Sequence, residues 1–184
     1  SGKVIWSSRA PGQAILYSQW SSPVIAQVNA KAQVVFPGGD GWLYGFEPKS
    51  GELLWKVNCN DPSLRDWRLG QFGQHAVGNV KHFFVGTPTV HKDTIYVGLN
   101  NDFEDSQTNA PLYAISLGHR GDATAKAVRW KFQHPDFGST YCSAAVADGI
   151  VYVLGHRAVL FALDEKNGEV IWHCRIANNA GGYG

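Results

Sequence analysis

Runs of consecutive apolar residues alternate with glycine-containing turns along this chain. The runs Thr94–Gly98 and Ile150–Leu154 are apolar at successive positions, whereas a strand with water on one face alternates apolar and polar residues. These runs therefore predict strands that are covered on both faces. Gly38–Gly41 and Ala147–Gly149 contain the Asp-Gly pairs that tight hairpins require. Strands joined by short hairpins predict an antiparallel meander.

The same residue pattern occurs three times. It runs over Gly41–Trp55 and Ala158–Trp172, and in a looser form from Leu112 to Trp130. A repeated unit that cannot bury its own faces must stack on its neighbours. Sheets of four antiparallel strands, repeated and covered on both faces, are the blades of a β-propeller. The sequence therefore predicts an all-β fold made of such blades.

The repeats divide residues 1–184 into three predicted blades of a single propeller segment. We assign residues 20–58, 85–133 and 141–175 to the blades, residues 1–7 to the outer strand of a preceding blade, and residues 59–84 to a long loop between blades. Known propellers have about four to eight blades. We therefore expect this chain, which lacks methionine, to be excised from a longer chain and to form part of a larger propeller. The alternative is a short self-assembling piece.

Composition disfavours several classes of protein. The chain has a formal net charge of +1 and 17% charged residues of mixed sign, so no basic face predicts a nucleic-acid partner. No apolar run approaches the roughly 20 residues of a membrane helix. The three cysteines, Cys59, Cys142 and Cys174, show no short-range pairing pattern, which favours free thiols over a disulfide framework.

The segment Ala162–Trp172 carries a recognisable motif. It resembles the tryptophan-docking motif of the pyrroloquinoline-quinone-like propeller repeat, which occurs in quinoprotein alcohol dehydrogenases and in the outer-membrane-assembly lipoprotein. The resemblance covers nearly the whole chain, although the second unit departs from it between Ser116 and Val128. We expect Asp164 to accept hydrogen bonds from the turn amides and Gly168 to adopt a left-handed conformation. The tryptophans are expected to pack blade against blade as structural residues: Trp55, Trp130 and Trp172.

The resemblance implies two different functions. Quinoprotein dehydrogenases are expected to have an adjacent cysteine pair near the quinone, a tryptophan beneath it and oxygen ligands for calcium. This sequence has no adjacent cysteines and no Cys-x-x-Cys-His haem signature. We therefore expect a non-catalytic interaction or scaffolding module, without cofactor or catalytic residues, located in the periplasm or outside the cell. The alternative is a fragment of a dehydrogenase that uses pyrroloquinoline quinone with calcium.

Two long insertions predict the binding surface. In a propeller, the links between blades and the links between second and third strands emerge on one face, so residues 58–84 and 100–110 are expected side by side. Aromatic residues mixed with arginine are typical of binding hot spots. The partner would be a protein or the remaining blades, although a loop that plugs the ring or a glycan-binding face would use the same residues. The candidate residues are Arg65, Trp67, Arg68, Phe72, His75, Asp102 and Glu104.

Metal sites are not indicated by the spacing of ligands. Residues 100–105 are rich in Asn, Asp and Glu but lack the order of an EF-hand loop. The seven histidines are scattered, without the spacing of a zinc site. We therefore predict no metal ligands. Ser139 has no base evident from the sequence, and no Gly-x-Ser-x-Gly motif occurs.

Overall fold

A computed structural model describes residues 2–10, 19–64, 81–100 and 109–176. Within these residues the fold is all-β, with fourteen strands and one helix of four residues. No helix in these ranges is long and apolar enough to cross a membrane. The elements in chain order are β1 Val24–Val28, β2 Lys31–Pro37, β3 Trp42–Phe46, β4 Leu53–Asn58, β5 Phe83–Phe84, β6 Thr89–His91, β7 Thr94–Asn100, β8 Leu112–Ser116, β9 Gly121–Asp122, α1 Thr124–Ala127, β10 Val128–Phe132, β11 Ala145–Ala147, β12 Ile150–Gly155, β13 Val159–Asp164 and β14 Val170–Arg175.

The strands form three sheets that follow one another along the chain. The first has the order β1-β2-β3-β4-β9, the second β10-β8-β7-β5 with β6 also on β7, and the third β11-β12-β13-β14. All pairs are antiparallel except β4 with β9, which is parallel. Each sheet is therefore a meander of the predicted kind. The second sheet has a split inner strand, since β5 and β6 pair with different parts of β7.

The second sheet is buried on both faces, as its sequence predicts. All seven residues of β7 are buried. Ile95, Val97 and Leu99 belong to the core shared with the first sheet, whereas Tyr96 belongs to the core shared with the third sheet. Successive side chains of a strand point to opposite faces, so β7 contributes to two cores at once. This explains why its apolar residues are continuous rather than alternating.

The inner strands also touch one another directly. The Ser21 hydroxyl donates to the Gly86 carbonyl at 2.7 Å, and the Thr89 hydroxyl donates to the Ala144 carbonyl at 2.5 Å. Gly86 lies so close to the third unit that a Cβ there would stand 2.7 Å from the Cys142 carbonyl oxygen. Neighbouring sheets are therefore joined near their inner edges as well as through the two cores.

The outer flank of the third sheet is open among the described residues. All six residues of β14 are exposed, including Val170 at 41%, Ile171 at 51% and Trp172 at 42%. Exposed large apolar side chains that lie together mark a surface that contacts another protein element. In a propeller, such a surface is covered by the next blade. Residues 2–10 form no strand with described residues, although Trp6 lies against the first sheet. These features are those of a partial propeller.

Candidate binding face and the contacts between sheets

The turns and links at one end of the sheets form a single surface, here called the loop face. It comprises the β2–β3 turn at 38–41, residues 59–64 and 81–82, the ends of the β7–β8 link at Asn100 and Asn109, and the β12–β13 turn at 156–158. Because consecutive antiparallel strands reverse direction, these segments share one edge of the molecule. The seven candidate residues predicted from the sequence lie outside the described residues, namely Arg65, Trp67, Arg68, Phe72, His75, Asp102 and Glu104.

The residues that flank the two insertions line one cavity on the loop face. This cavity has a volume of about 260 Å³, and its walls include Leu64, His82 and Asn109. Leu64 and His82 bracket the first insertion closely, and Asn109 ends the second. Both ends of the first insertion and the last end of the second therefore lie at a common cavity. Sequence reasoning expected the insertions side by side but did not find the cavity.

An asparagine joins the two ends of the first insertion. The Asn60 side chain accepts a hydrogen bond from the His82 amide at 2.7 Å and donates one to the His82 carbonyl at 2.8 Å. Asn60 is 6% exposed. Two buried hydrogen bonds to one residue restrict both the position and the angle of the loop ends. The base of the insertion is thus anchored independently of the residues within it.

A buried acid lies beside this anchor, since the Asp40 backbone carbonyl accepts a hydrogen bond from the Asn60 side chain at 3.5 Å. Asp40 is 9% exposed and accepts hydrogen bonds from the Tyr44 hydroxyl at 2.5 Å and the Trp42 amide at 3.0 Å. Burial raises the pKa of Asp40, while these hydrogen bonds oppose the rise. Burial also raises the pKa of the Cys59 thiol, with the nearby Asp40 charge adding to the effect. Cys142 and Cys174 are exposed.

Charged groups face each other across the cavity. Asp61 and Lys131 both line it. Hydrogen bonds from the Ser63 hydroxyl and amide lower the pKa of Asp61, and the positive charge of Lys131 adds to this. The cavity wall also carries the Tyr113 hydroxyl, which donates to the Cys59 carbonyl at 2.8 Å. The site therefore offers a cation, an anion and an aromatic ring, which suits a polar group of a partner protein.

A serine and a histidine meet between the second and third sheets. The Ser139 hydroxyl donates to Asn100 Oδ1 at 3.0 Å and lies 3.1 Å from His156 Nδ1. The same Nδ1 accepts a hydrogen bond from the Ser139 amide at 3.1 Å, and burial lowers the pKa of His156, helped by Arg157. Ser139 is 1% exposed, so its hydroxyl is buried among the described residues. These hydrogen bonds join the second sheet to the third.

Two features bear on the dehydrogenase interpretation. Within the described ranges, no group of three His, Cys, Asp or Glu side chains could hold a metal ion. The sequence has no adjacent cysteines.

Two tryptophans make the same contact with the neighbouring turn. The Trp130 indole donates to the Glu165 carbonyl at 3.0 Å, and its ring lies 2.6 Å from where a Cβ on Gly168 would stand. The Trp6 indole donates to the Pro48 carbonyl at 2.7 Å, and its ring lies 2.5 Å from the corresponding position on Gly51. In both cases the carbonyl precedes the glycine by three residues. Only a residue without a side chain permits this approach.

The turn of the third unit has the geometry that its sequence suggests. Asp164 Oδ1 accepts hydrogen bonds from the Lys166 amide at 2.7 Å and the Asn167 amide at 3.3 Å. Gly168 has a φ of +74°, in the region that favours glycine. The turn therefore leaves room for the Trp130 ring to lie directly against Gly168.

Trp55 and Trp172 have different surroundings. The Trp55 indole donates to Gln33 Oε1 of its own sheet at 2.7 Å and covers Gly45, its partner in the β3–β4 register. The turn of the second unit instead adds β9 to β4, beside Trp55. Trp172 is 42% exposed and contacts Tyr152 of its own sheet, with ring centroids 6.1 Å apart.

Comparison with solved structures places this fold. BamB from Moraxella catarrhalis superposes with a TM-score of 0.61 at 15% sequence identity, over 95% of this chain and 44% of that chain. The quinohemoprotein alcohol dehydrogenase of Comamonas testosteroni gives 0.53 at 15% identity, over 78% of this chain and 26% of that chain. A europium-containing methanol dehydrogenase gives 0.54 at 13% identity, over 83% and 32%. The chain thus spans less than half the length of each protein.

The comparisons by sequence give no assignment. No protein-family model matches the chain, and no curated protein matches it in sequence. The similarity to these solved structures is therefore one of fold, and it agrees with the repeat and the indole contacts described above. On that evidence, the chain has the fold of the pyrroloquinoline-quinone-like β-propellers and forms part of such a propeller.

Proposed function

We propose that this chain is a non-catalytic interaction or scaffolding segment of a larger propeller, and that it binds a protein partner through its loop face. The observation that carries the proposal is that residues flanking both long insertions, Leu64, His82 and Asn109, line one cavity of about 260 Å³. Long loops held at their bases by a rigid scaffold are where proteins place their binding residues. The Asn60–His82 hydrogen bonds provide such a base.

The candidate contact residues remain those that the sequence suggests. Trp67 and Phe72 would supply apolar anchors, and Arg65, Arg68 and His75 would supply polar contacts around them. Asp102 and Glu104 of the second insertion would add negative charge opposite them. We also propose that residues 20–58, 85–133 and 141–175 are blades, and that the location is periplasmic or extracellular.

The proposal is tested by comparing partner capture by variants of the full chain. Trp67→Ala with Phe72→Ala is expected to abolish capture of a specific partner from a periplasmic extract, quantified by mass spectrometry. Lys166→Ala, in the exposed β13–β14 turn at the opposite end of the strands from the loop face, is the control. Unfolding curves must coincide for both variants. A partner captured equally well by the double variant would contradict the proposal.

A second candidate is favoured by the structural neighbours among the dehydrogenases. In that case the segment would belong to a quinone-dependent dehydrogenase whose cofactor site lies in other blades. The test is an absorbance scan of the full-length protein after addition of the quinone and calcium, combined with dye-linked oxidation of alcohols and sugars. Retention of the quinone together with turnover would replace the first proposal. If the protein neither retains the quinone nor turns over substrate, the dehydrogenase candidate is eliminated.

A further inference from the structure

A groove separates the first and second sheets on the face opposite the loop face. We call it the junction groove. Its walls are the β1–β2 hairpin around Lys31, the β3–β4 turn around Lys49, and the second-unit turn at Gly118–Arg120. Its volume is about 880 Å³, which is within the roughly 300–1,000 Å³ of ligand pockets. It is independent of the loop face, because the β1–β2 and β3–β4 turns lie at the other end of the strands.

The junction groove exists because this junction is built differently from the next one. Between the second and third sheets, the Trp130 indole fills the space above the Gly168 turn. Between the first and second sheets, Trp55 turns toward its own sheet. The second-unit turn reaches past it to pair β9 with β4. The first junction therefore lacks the indole-on-glycine contact of the second, and the atom nearest to a Cβ on Gly118 is Val28 Cγ1 at 3.8 Å.

The two junctions also differ in charge. In the second junction, Glu165 accepts from Lys92 at 3.5 Å and lies 3.7 Å from His91. In the first, Leu117 occupies the position of Glu165. The strand registers show this equivalence. Thr94 pairs with Ser116 in the second sheet, and Ile150 pairs with Asp164 in the third. Leu117 and Glu165 are the residues that directly follow Ser116 and Asp164. By the same registers, Val28 and Asn29 stand where His91 and Lys92 do, so the first junction lacks both sides of this ion pair.

Three cations line the junction groove, and one of them, Lys49, helps the hydrogen bonds from Ser50 to lower the pKa of the neighbouring Glu47 carboxylate. The three are Lys31, Lys49 and Arg120, and none makes a side-chain hydrogen bond or ion pair in the part of the chain that the structure describes. Glu47 also lines the groove, but its carboxylate is occupied by the amides of Lys49 and Ser50 at 2.7 and 2.5 Å.

The rest of the lining combines apolar surface with one more acid. Val28, Pro48 and Leu54 give apolar walls, and Glu52 adds a negative charge. A polyanion such as nucleic acid or a sulfated polysaccharide would meet the carboxylates of Glu47 and Glu52 as well as the cations. A chain that alternates carboxylate and apolar side chains matches both kinds of surface.

We propose that the junction groove binds an acidic peptide segment of a partner protein in an extended conformation. Carboxylates of the segment pair with Lys31, Lys49 and Arg120, in the way that Glu165 pairs with Lys92 in the neighbouring junction. Its apolar side chains lie against Val28 and Leu54.

The test is fluorescence anisotropy of the full chain with a short labelled peptide of alternating Glu and Leu residues. The same peptide with Gln in place of Glu is the control ligand. Arg120→Glu and Lys49→Glu are each expected to weaken binding about tenfold, because a reversed charge adds repulsion to the lost attraction. Lys166→Glu is the matched control variant, since Lys166 holds the position of Lys49 in the third-unit turn and is remote from the groove.

The outcomes separate clearly. The proposal is supported if the chain binds the Glu peptide but not the Gln peptide. Binding of the Glu peptide must also be lost in both groove variants and kept in Lys166→Glu. Equal binding of both peptides, or equal loss in all three variants, overturns it. Tighter binding of a heparin oligosaccharide or a DNA oligonucleotide than of the peptide also overturns it, in favour of a polyanion site. None of these outcomes depends on Trp67 or Phe72, so the result is distinct from the test of the loop face.

Discussion

Truncation of Trp130 tests how strongly one sheet is held to the next. Trp130 is 7% exposed, so Trp130→Ala removes nearly all of a buried indole. Burial of about 150–250 Å² at about 25 cal/mol per Å² gives about 4–6 kcal/mol, and this is an upper bound because unfolded chains are partly compact. We therefore expect a loss of about 3–5 kcal/mol in the free energy of unfolding, the range found for large truncations in protein cores.

Two further variants divide this loss into its parts. Trp130→Phe keeps an aromatic ring over Gly168 but removes the indole N–H that binds the Glu165 carbonyl, so it should cost less than the alanine variant. The hydrogen bond alone accounts for about 1 kcal/mol. Trp172→Ala is the control, because Trp172 is 42% exposed and its truncation in this chain should cost about half as much or less.

The assay is urea unfolding followed by far-ultraviolet circular dichroism, with equal slopes required for all variants. A loss below about 1 kcal/mol for Trp130→Ala would refute the packing argument, since that is the size of an ordinary surface effect. So would an equal loss for Trp172→Ala. Either result would mean that the indole does not join the sheets.

Three other predictions follow from single positions. Gly168→Ala should destabilise the fold more than Gly149→Ala, measured by urea unfolding, because both glycines have positive φ but only Gly168 would place a Cβ 2.6 Å from the Trp130 ring; equal losses would contradict the contact. Burial raises the pKa of Asp40 above its ordinary value of 3.8, so the folded state holds the proton more tightly than the unfolded state does. The stability of the protein relative to Asp40→Asn should therefore fall as pH rises above 3.8; a rise in relative stability over that range would contradict this. Burial raises the pKa of the Cys59 thiol, so a thiol reagent should label the two exposed cysteines in the native protein and Cys59 only after denaturation; rapid labelling of all three would contradict its burial.

The sequence predicts those parts of the fold that the repeat encodes locally. Continuous apolar residues in β7 indicate a strand with two covered faces, and its side chains do enter two cores. The Asp164 and Gly168 turn follows from residue types that favour one turn geometry. These features depend on neighbours within one unit or on the unit next to it, and such neighbours are visible in a repeating sequence.

Contacts that break the repeat could not be predicted in the same way. β9 pairs with β4 in parallel, and the two strands are separated by the whole inner part of the second sheet. The Asn60–His82 hydrogen bonds span 22 residues and have no counterpart in the other units from which to infer them. Both depend on where an insertion returns to the sheet, and a local pattern of residue types carries no information on that position.

The central claim is that the sheets are stacked face to face, with an indole of one sheet lying on a glycine of the next. Nuclear Overhauser spectroscopy of the labelled chain tests it directly. The account predicts strong cross-peaks between the Trp130 ring and the Gly168 Hα protons, with one Hα shifted far upfield by the ring. Gly168 Hα protons at ordinary shifts, without cross-peaks to Trp130, would contradict it.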